Sequence, residues 1–139
     1  MYQHILLASD GSENAVRAAK EAVKIASLIE GSTIEVVYVA DFDQAKKDVL
    51  HASSNLALEL ERRKKNSEVF QYLNESKINL KTTILRGKPG PVIVDYANEQ
   101  KVDLVVIGSR GLNTLQEMVL GSVSHKVMKQ VNCPALIVK

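Results

Sequence analysis

Tryptophan is absent from this chain, and only four Tyr and two Phe stand among its 139 residues. That supply leaves little to stack on exposed nucleic-acid bases or to frame a flavin ring. A single cysteine, Cys133, excludes an internal disulfide and any cysteine-rich zinc centre. Placed ahead of a proline and a strand-like segment, it reads as a small buried hydrophobe. His4, His51 and His125 are scattered without the spacing of a metal site. No apolar run approaches the ~20 residues that cross a bilayer. Neither sign of charge prevails, and a formal net charge of +2 points to neither nucleic acid nor an anionic membrane as partner. The first residues run straight into a strand pattern, with no basic segment, apolar stretch and cleavage site, so a cytoplasmic protein is expected. No GxxxxGK[ST] loop, no Ser/His/Asp constellation and no outstanding carboxylate pair offers itself for vigorous catalysis.

What remains is the material of one ordinary soluble domain, read as spanning residues 1–139, with 45% apolar and 24% charged residues. His4 to Ala8 is a short apolar run that suits a buried strand, followed by the loop Ser9-Asp10-Gly11-Ser12. Ser12 or Asn14 can cap a helix whose apolar positions are Ala15, Ala18, Ala19, Ala22, Ile25, Ala26 and Ile29. Gly31 is placed to end it. Thr33 to Ala40 is β-branched and reads as a second strand. After Asp41-Phe42-Asp43, spaced apolar residues at Val49, Leu56, Leu60, Val69, Tyr72 and Leu73 predict helix to about Ser76, with a break near Asn66-Ser67. Its charge run, Glu59 to Lys65, reads as a solvated face. Ile78 to Leu85 alternates as a strand at or near a sheet edge, with Ile78, Leu80, Thr82 and Ile84 on one face. Pro91 fits the first turn of a helix carrying Val92, Ile93, Tyr96 and Ala97. A fourth strand, a helix from about Ser122 to Gln130 and a strand at Ala135 to Val138 complete the chain. Strands alternating with helices predict an α/β fold, a single-domain open parallel sheet with helices on both faces. Such sheets take ligands beyond the carboxyl ends of their strands.

One stretch organises the rest: Leu104 to Ser122, LVVIGSRGLNTLQEMVLGS. An uninterrupted apolar run stops at Gly108, Gly111 follows, and Gly121-Ser122 opens the next helical pattern with Val123 and Ser124. Glycines past a buried strand let a ligand approach the main chain. Free N–H groups and hydroxyls at a helix N-terminus are the physics of a phosphate site. A plain strand-to-helix turn has the same glycine pair.

The spacing of Gly108, two residues, Gly111, nine residues, then Gly121-Ser122 resembles the nucleotide-binding signature of the universal stress protein family. HILLASDGSENA, VDLVVIGSRG and GSVSHKVMKQVNCPALIVK resemble the same family at matching places in a chain of matching length. The resemblance implies a Rossmann-like five-stranded sheet of order 3-2-1-4-5 and an ATP site, with Mg²⁺ on the phosphates. In that site Asp10, next to Ala8 and Ser9, would accept from a ribose hydroxyl or the adenine amine. Val39 would hold the adenine edge through its main chain. Gly108, Gly111, Gly121 and Ser122 would meet ribose and phosphates, with Val123 and Ser124 extending the set. Ile107, Ser109 and Arg110 share the loop, where Arg110 meets phosphate or solvent. For Asp10 the plainer role is a turn or helix cap; for Val39 it is a core valine. Lys88 and His125 read as exposed polar residues.

The last strand would lie at a sheet edge with unpaired backbone groups, guarded only by Lys139. Pairing with a second copy about a two-fold axis would satisfy it, and the family resemblance implies the same homodimer. The expectation is therefore an ATP-binding, nucleotide-dependent dimeric module of the stress response. A slow ATPase or autophosphorylating enzyme and a nucleotide-free interaction module of the same fold are the alternatives. A receiver domain is disfavoured because the third strand ends Ile84-Leu85-Arg86, without an aspartate. A flavodoxin is disfavoured by Ser9-Asp10-Gly11-Ser12-Glu13, a poor flavin-phosphate loop.

Overall fold

The computed structural model describes residues 1–40, 66–110 and 120–139. The expectations for Asp41 to Lys65, including Val49, His51, Leu56, Leu60 and the charge run, and for Gly111, lie outside the described residues. In chain order the elements are β1 (His4–Ala8), α1 (Glu13–Ser27) and β2 (Thr33–Ala40), then helix α2 over residues 66–75. They continue with β3 (Asn79–Arg86), α3 (Pro89–Glu99), β4 (Leu104–Gly108), α4 (Ser122–Gln130) and β5 (Ala135–Val138).

The strands form one sheet of order β3-β2-β1-β4-β5, and each neighbouring pair is parallel. At its centre Ala8 stands beside Val37 on one side and Ile107 on the other. Alternate residues of a strand face opposite sides. Ile5 and Leu7 therefore join Ile34, Val36, Leu104 and Val106 beneath α1 and α2. Leu6 and Ala8 join Val37, Val105 and Ile107 beneath α3 and α4. Helices cover both faces of β1 and β4, which explains why these strands read as continuous apolar runs rather than as alternations.

Helix α1 turns Ala15, Ala18, Ala19, Ala22 and Ala26 to the sheet, all buried. Side chains this short let the helix axis lie close to the strands. Its Ncap is Ser12, whose hydroxyl accepts from Ala15 N at 3.2 Å. Its last cap is Leu28, so Gly31, at φ +80°, belongs to the turn into β2 and not to the helix end itself. Helix α3 starts at Pro89, where a proline surrenders no needed hydrogen bond, and Pro91 falls in its first turn as predicted. Edge strand β3 keeps the predicted alternation at Leu80, which packs on the core together with Ile78 just before the strand. It departs from it at Ile84, which is 68% exposed at the outer edge. Cys133 packs against the second core, and burial pushes its thiol up.

Asn98 ties α3 to the far end of α4. Its Nδ2 donates to Gln130 O at 3.2 Å, and its Oδ1 accepts from Asn132 N at 2.8 Å. Among the described residues no helix is long and apolar enough to cross a membrane.

Candidate functional site

Strand order reverses between β1 and β4, and beyond the carboxyl ends of strands at such a point lies the crevice where open α/β sheets take their ligands. Three segments meet there: Ser9-Asp10 after β1, Val39 near the end of β2, and the loop that follows Ile107. Several of the predicted residues that the structure describes have a definite local role.

Ser9 is buried and cross-links the crevice wall. Its N–H donates to Val37 O at 3.0 Å and its hydroxyl to Asn66 Oδ1 of α2 at 3.0 Å. Asp10 is exposed, and its Oδ1 accepts from Ser12 N at 2.9 Å. One carboxylate oxygen thus builds the turn that starts α1. Val39 sits in the ladder beside Leu85, with its side chain against the second core. Next to it, Tyr38 stacks on Phe70 at 6.3 Å between ring centres. The Tyr38 hydroxyl is buried and finds no hydrogen-bond partner among the described residues, and burial pushes its pKa up to about 12.

The two described glycines of the signature are there for different reasons. A β-carbon on Gly108 would stand 2.6 Å from Asn14 Cβ and 3.0 Å from the Asn14 carbonyl carbon. Gly108 is thus required by the close seat of α1 on β4, whatever else it touches. Gly121 is the Ncap of α4 with φ −71° and ψ 166°, a conformation open to any residue. Its torsion angles alone do not demand a glycine at Gly121.

Ser109 fastens the loop. Its carbonyl accepts from Gly121 N at 2.7 Å and from Ser124 Oγ at 2.8 Å, while its own N–H donates to Val138 O at 2.7 Å. Ser124 is 2% exposed, and its hydroxyl is also within 3.1 Å of Gly121 O. That hydroxyl therefore holds the loop together. Ser122 is exposed and Val123 packs on the second core. Arg110 is exposed beyond Ser109, and Lys88 is exposed at the Ncap of α3.

The amino end of α4 has neither a side-chain cap nor an acidic residue in its first turn. Helix α1 has both, in Ser12 and Glu13. An uncapped helix end presents N–H groups and a partial positive charge to whatever lies before it. Of the two helix N-termini beside the central strands, only that of α1 carries a side-chain cap and an acid among the described residues.

Sequence reasoning missed a buried polar cluster towards the amino end of β2, away from the crevice. Glu35 is wholly buried. Its Oε1 is 2.6 Å from His4 Nε2, its Oε2 accepts from Thr83 Oγ1 at 2.5 Å and from the Tyr96 hydroxyl, and Lys81 Nζ lies 3.8 Å away. Burial works to raise this carboxyl. The hydrogen bonds from Thr83, Tyr96 and His4, with Lys81 nearby, outweigh it and hold Glu35 below its ordinary value. The available signal was a lone acid inside TIEVVYVA, a strand covered on both faces. Among the described residues no group of three or more His, Cys, Asp or Glu could hold a metal ion.

An open parallel sheet of order 3-2-1-4-5 with helices on both faces defines the Rossmann-like class of α/β proteins. Residues 1–139 match the model of the universal stress protein family, and the chain belongs to that family. It is 32% identical over its full length to universal stress protein MJ0531 of Methanocaldococcus jannaschii, covering 83% of that protein. It is 31% identical to universal stress protein YxiE of Bacillus subtilis, with each chain covered in full. The solved structure of MJ0577, also from M. jannaschii, superposes with a TM-score of 0.78 at 32% identity, over 100% of this chain and 96% of that one.

Proposed function

We propose that this protein binds ATP in the crevice above β1 and β4 and serves as a nucleotide-dependent dimeric regulatory module of the stress response. The observation that carries the reading is the amino end of α4. Among the described residues it has no side-chain cap and no acid in its first turn, and its Ncap is a glycine whose torsion angles any residue could adopt. The triphosphate would lie against the α4 N–H groups, with the bare main chain of Gly121 and Gly111 allowing close approach. Asp10 keeps one carboxylate oxygen outside its turn for a ribose hydroxyl or the adenine amine. The described residues assemble no carboxylate cage, which suits Mg²⁺ held mainly by phosphates and water. Universal stress proteins have been solved in complex with cAMP and with dAMP; at 24% identity they speak for the fold alone. The nucleotide reading for this chain rests on its own residues.

The dimer would form through β5. Ala135–Val138 carries no charge, stands at one end of the strand order and pairs with β4 on its inner side. A two-fold axis beside it would pair the strand with its copy.

The test is mass spectrometry of what co-purifies, followed by calorimetric titration with ATP and Mg²⁺ on the wild type, Gly111→Val, Gly121→Val and Asp10→Ala. Both valines should abolish binding by blocking the approach. Asp10→Ala should weaken it by ~1–3 kcal/mol, the range for losing a charge-assisted bond. Equal affinity in all four proteins would leave a nucleotide-free interaction module. Steady phosphate release at catalytic rates would favour an ATPase.

A further inference from the structure

Ser109 belongs at once to the candidate phosphate loop and to the edge of the sheet. Through its carbonyl it holds Gly121 and Ser124, and through its N–H it holds Val138, the last residue of β5. A second path leaves from its side chain. The Ser109 hydroxyl accepts from Asn14 Nδ2 at 3.2 Å. Asn14 Oδ1 accepts from the Arg17 guanidinium, and Arg17 Nε donates to the main-chain oxygen of Lys139 at 2.8 Å. Ser109 is 4% exposed, and the Asn14 backbone is pressed against Gly108, so the first half of this path has little room to rearrange. Two hydrogen-bonded routes thus join the loop before α4 to two successive residues at the end of the edge strand.

We propose that the Ser109–Asn14–Arg17 relay couples nucleotide occupancy to pairing of β5 with a second copy of the chain. The inference rests on the nucleotide and dimer readings above and names the residues that link them. A triphosphate drawn to the amino end of α4 fixes Gly121 and, through it, the Ser109 carbonyl. Ser109 then holds Val138 directly and Lys139 by way of Asn14 and Arg17. The edge strand so ordered forfeits less freedom when it pairs, so ATP tightens the dimer. By linkage, dimerisation tightens ATP binding by the same factor.

The experiment measures the dimer dissociation constant by analytical ultracentrifugation, with and without saturating ATP and Mg²⁺. ATP affinity is measured separately on dilute protein. The variants are Arg17→Met, which keeps the stem and removes the donors, and Asn14→Ala, which keeps the Cβ that seats Gly108. Arg17→Lys, able to donate to Lys139, serves as the rescue. ATP should tighten the wild-type dimer at least ~5-fold, the lower end of ordinary coupling. In Arg17→Met and Asn14→Ala the tightening should fall below ~2-fold and return in Arg17→Lys, while thermal midpoints and dilute-protein ATP affinity stay near wild type. Undiminished tightening in both variants overturns the relay. So does a wild type that binds ATP and dimerises with no change in dimer affinity, an outcome that leaves the nucleotide reading standing. A wild type that does not bind ATP removes the nucleotide reading, one that stays monomeric removes the dimer reading, and either removes the relay with it.

Discussion

Gly108 and Asn14 lie so close that a β-carbon on the glycine would stand 2.6 Å from the asparagine Cβ. The first glycine of the signature is therefore a packing residue in the protein without any ligand. The neighbouring Asn14 carbonyl carbon, 3.0 Å from the same position, is backbone and cannot swing aside. Gly108→Ala should lower stability by about 1–3 kcal/mol, the usual cost of overpacking a tight seat. Urea unfolding without nucleotide measures it. A midpoint equal to wild type would mean that α1 slides freely on β4.

Glu35 should make stability depend on pH. Its folded value lies below the ordinary 4.5, so its contribution is complete above that ordinary value. It is lost as pH falls through the lower folded value. Wild-type stability should drop progressively below about pH 5, the acid-side behaviour of a carboxylate held by hydrogen bonds. Glu35→Gln cannot titrate, and its amide nitrogen cannot accept from Thr83 or Tyr96. It should be less stable by about 1–3 kcal/mol near neutrality and show a flatter acid profile. Urea unfolding between neutral and acid pH compares the two. Parallel profiles would remove Glu35 as the source of the slope.

The β5 edge makes a direct prediction about mass. Replacing Leu136 and Val138 together by glutamates places like charges against their copies across a two-fold axis. The protein should then be monomeric by light scattering, with its circular dichroism retained. An unchanged dimer mass would move the main interface elsewhere.

How much of this was legible beforehand depends on how far along the chain the partners lie. Local signals fixed β1, α4 and β5 at their observed residues, because short apolar runs and flanking Ser, Gly and Pro act within a few positions. Proline chemistry also put Pro91 in the first turn of α3, where it stands. The lateral order of the strands came only from family resemblance, since periodicity carries no information about which strand lies beside which. The Glu35 cluster and the Asn14–Arg17 relay were invisible for a related reason. Glu35 meets Thr83 and Tyr96 across 48 and 61 residues of chain, and Arg17 meets Lys139 across 122. In the crevice the sequence reading named Asp10 as a turn former or a ligand, and the structure places one of its oxygens in the turn.

Asn98 has a consequence for length. Helix α4, nine residues long, is gripped at its start by the Ser109 carbonyl and at its finish by the Asn98 amide. One residue added or removed inside that span would rotate everything beyond it by about 100° and wrench one grip open. The helix is a gauge of fixed calibre, and a change of length keeps both grips only outside it.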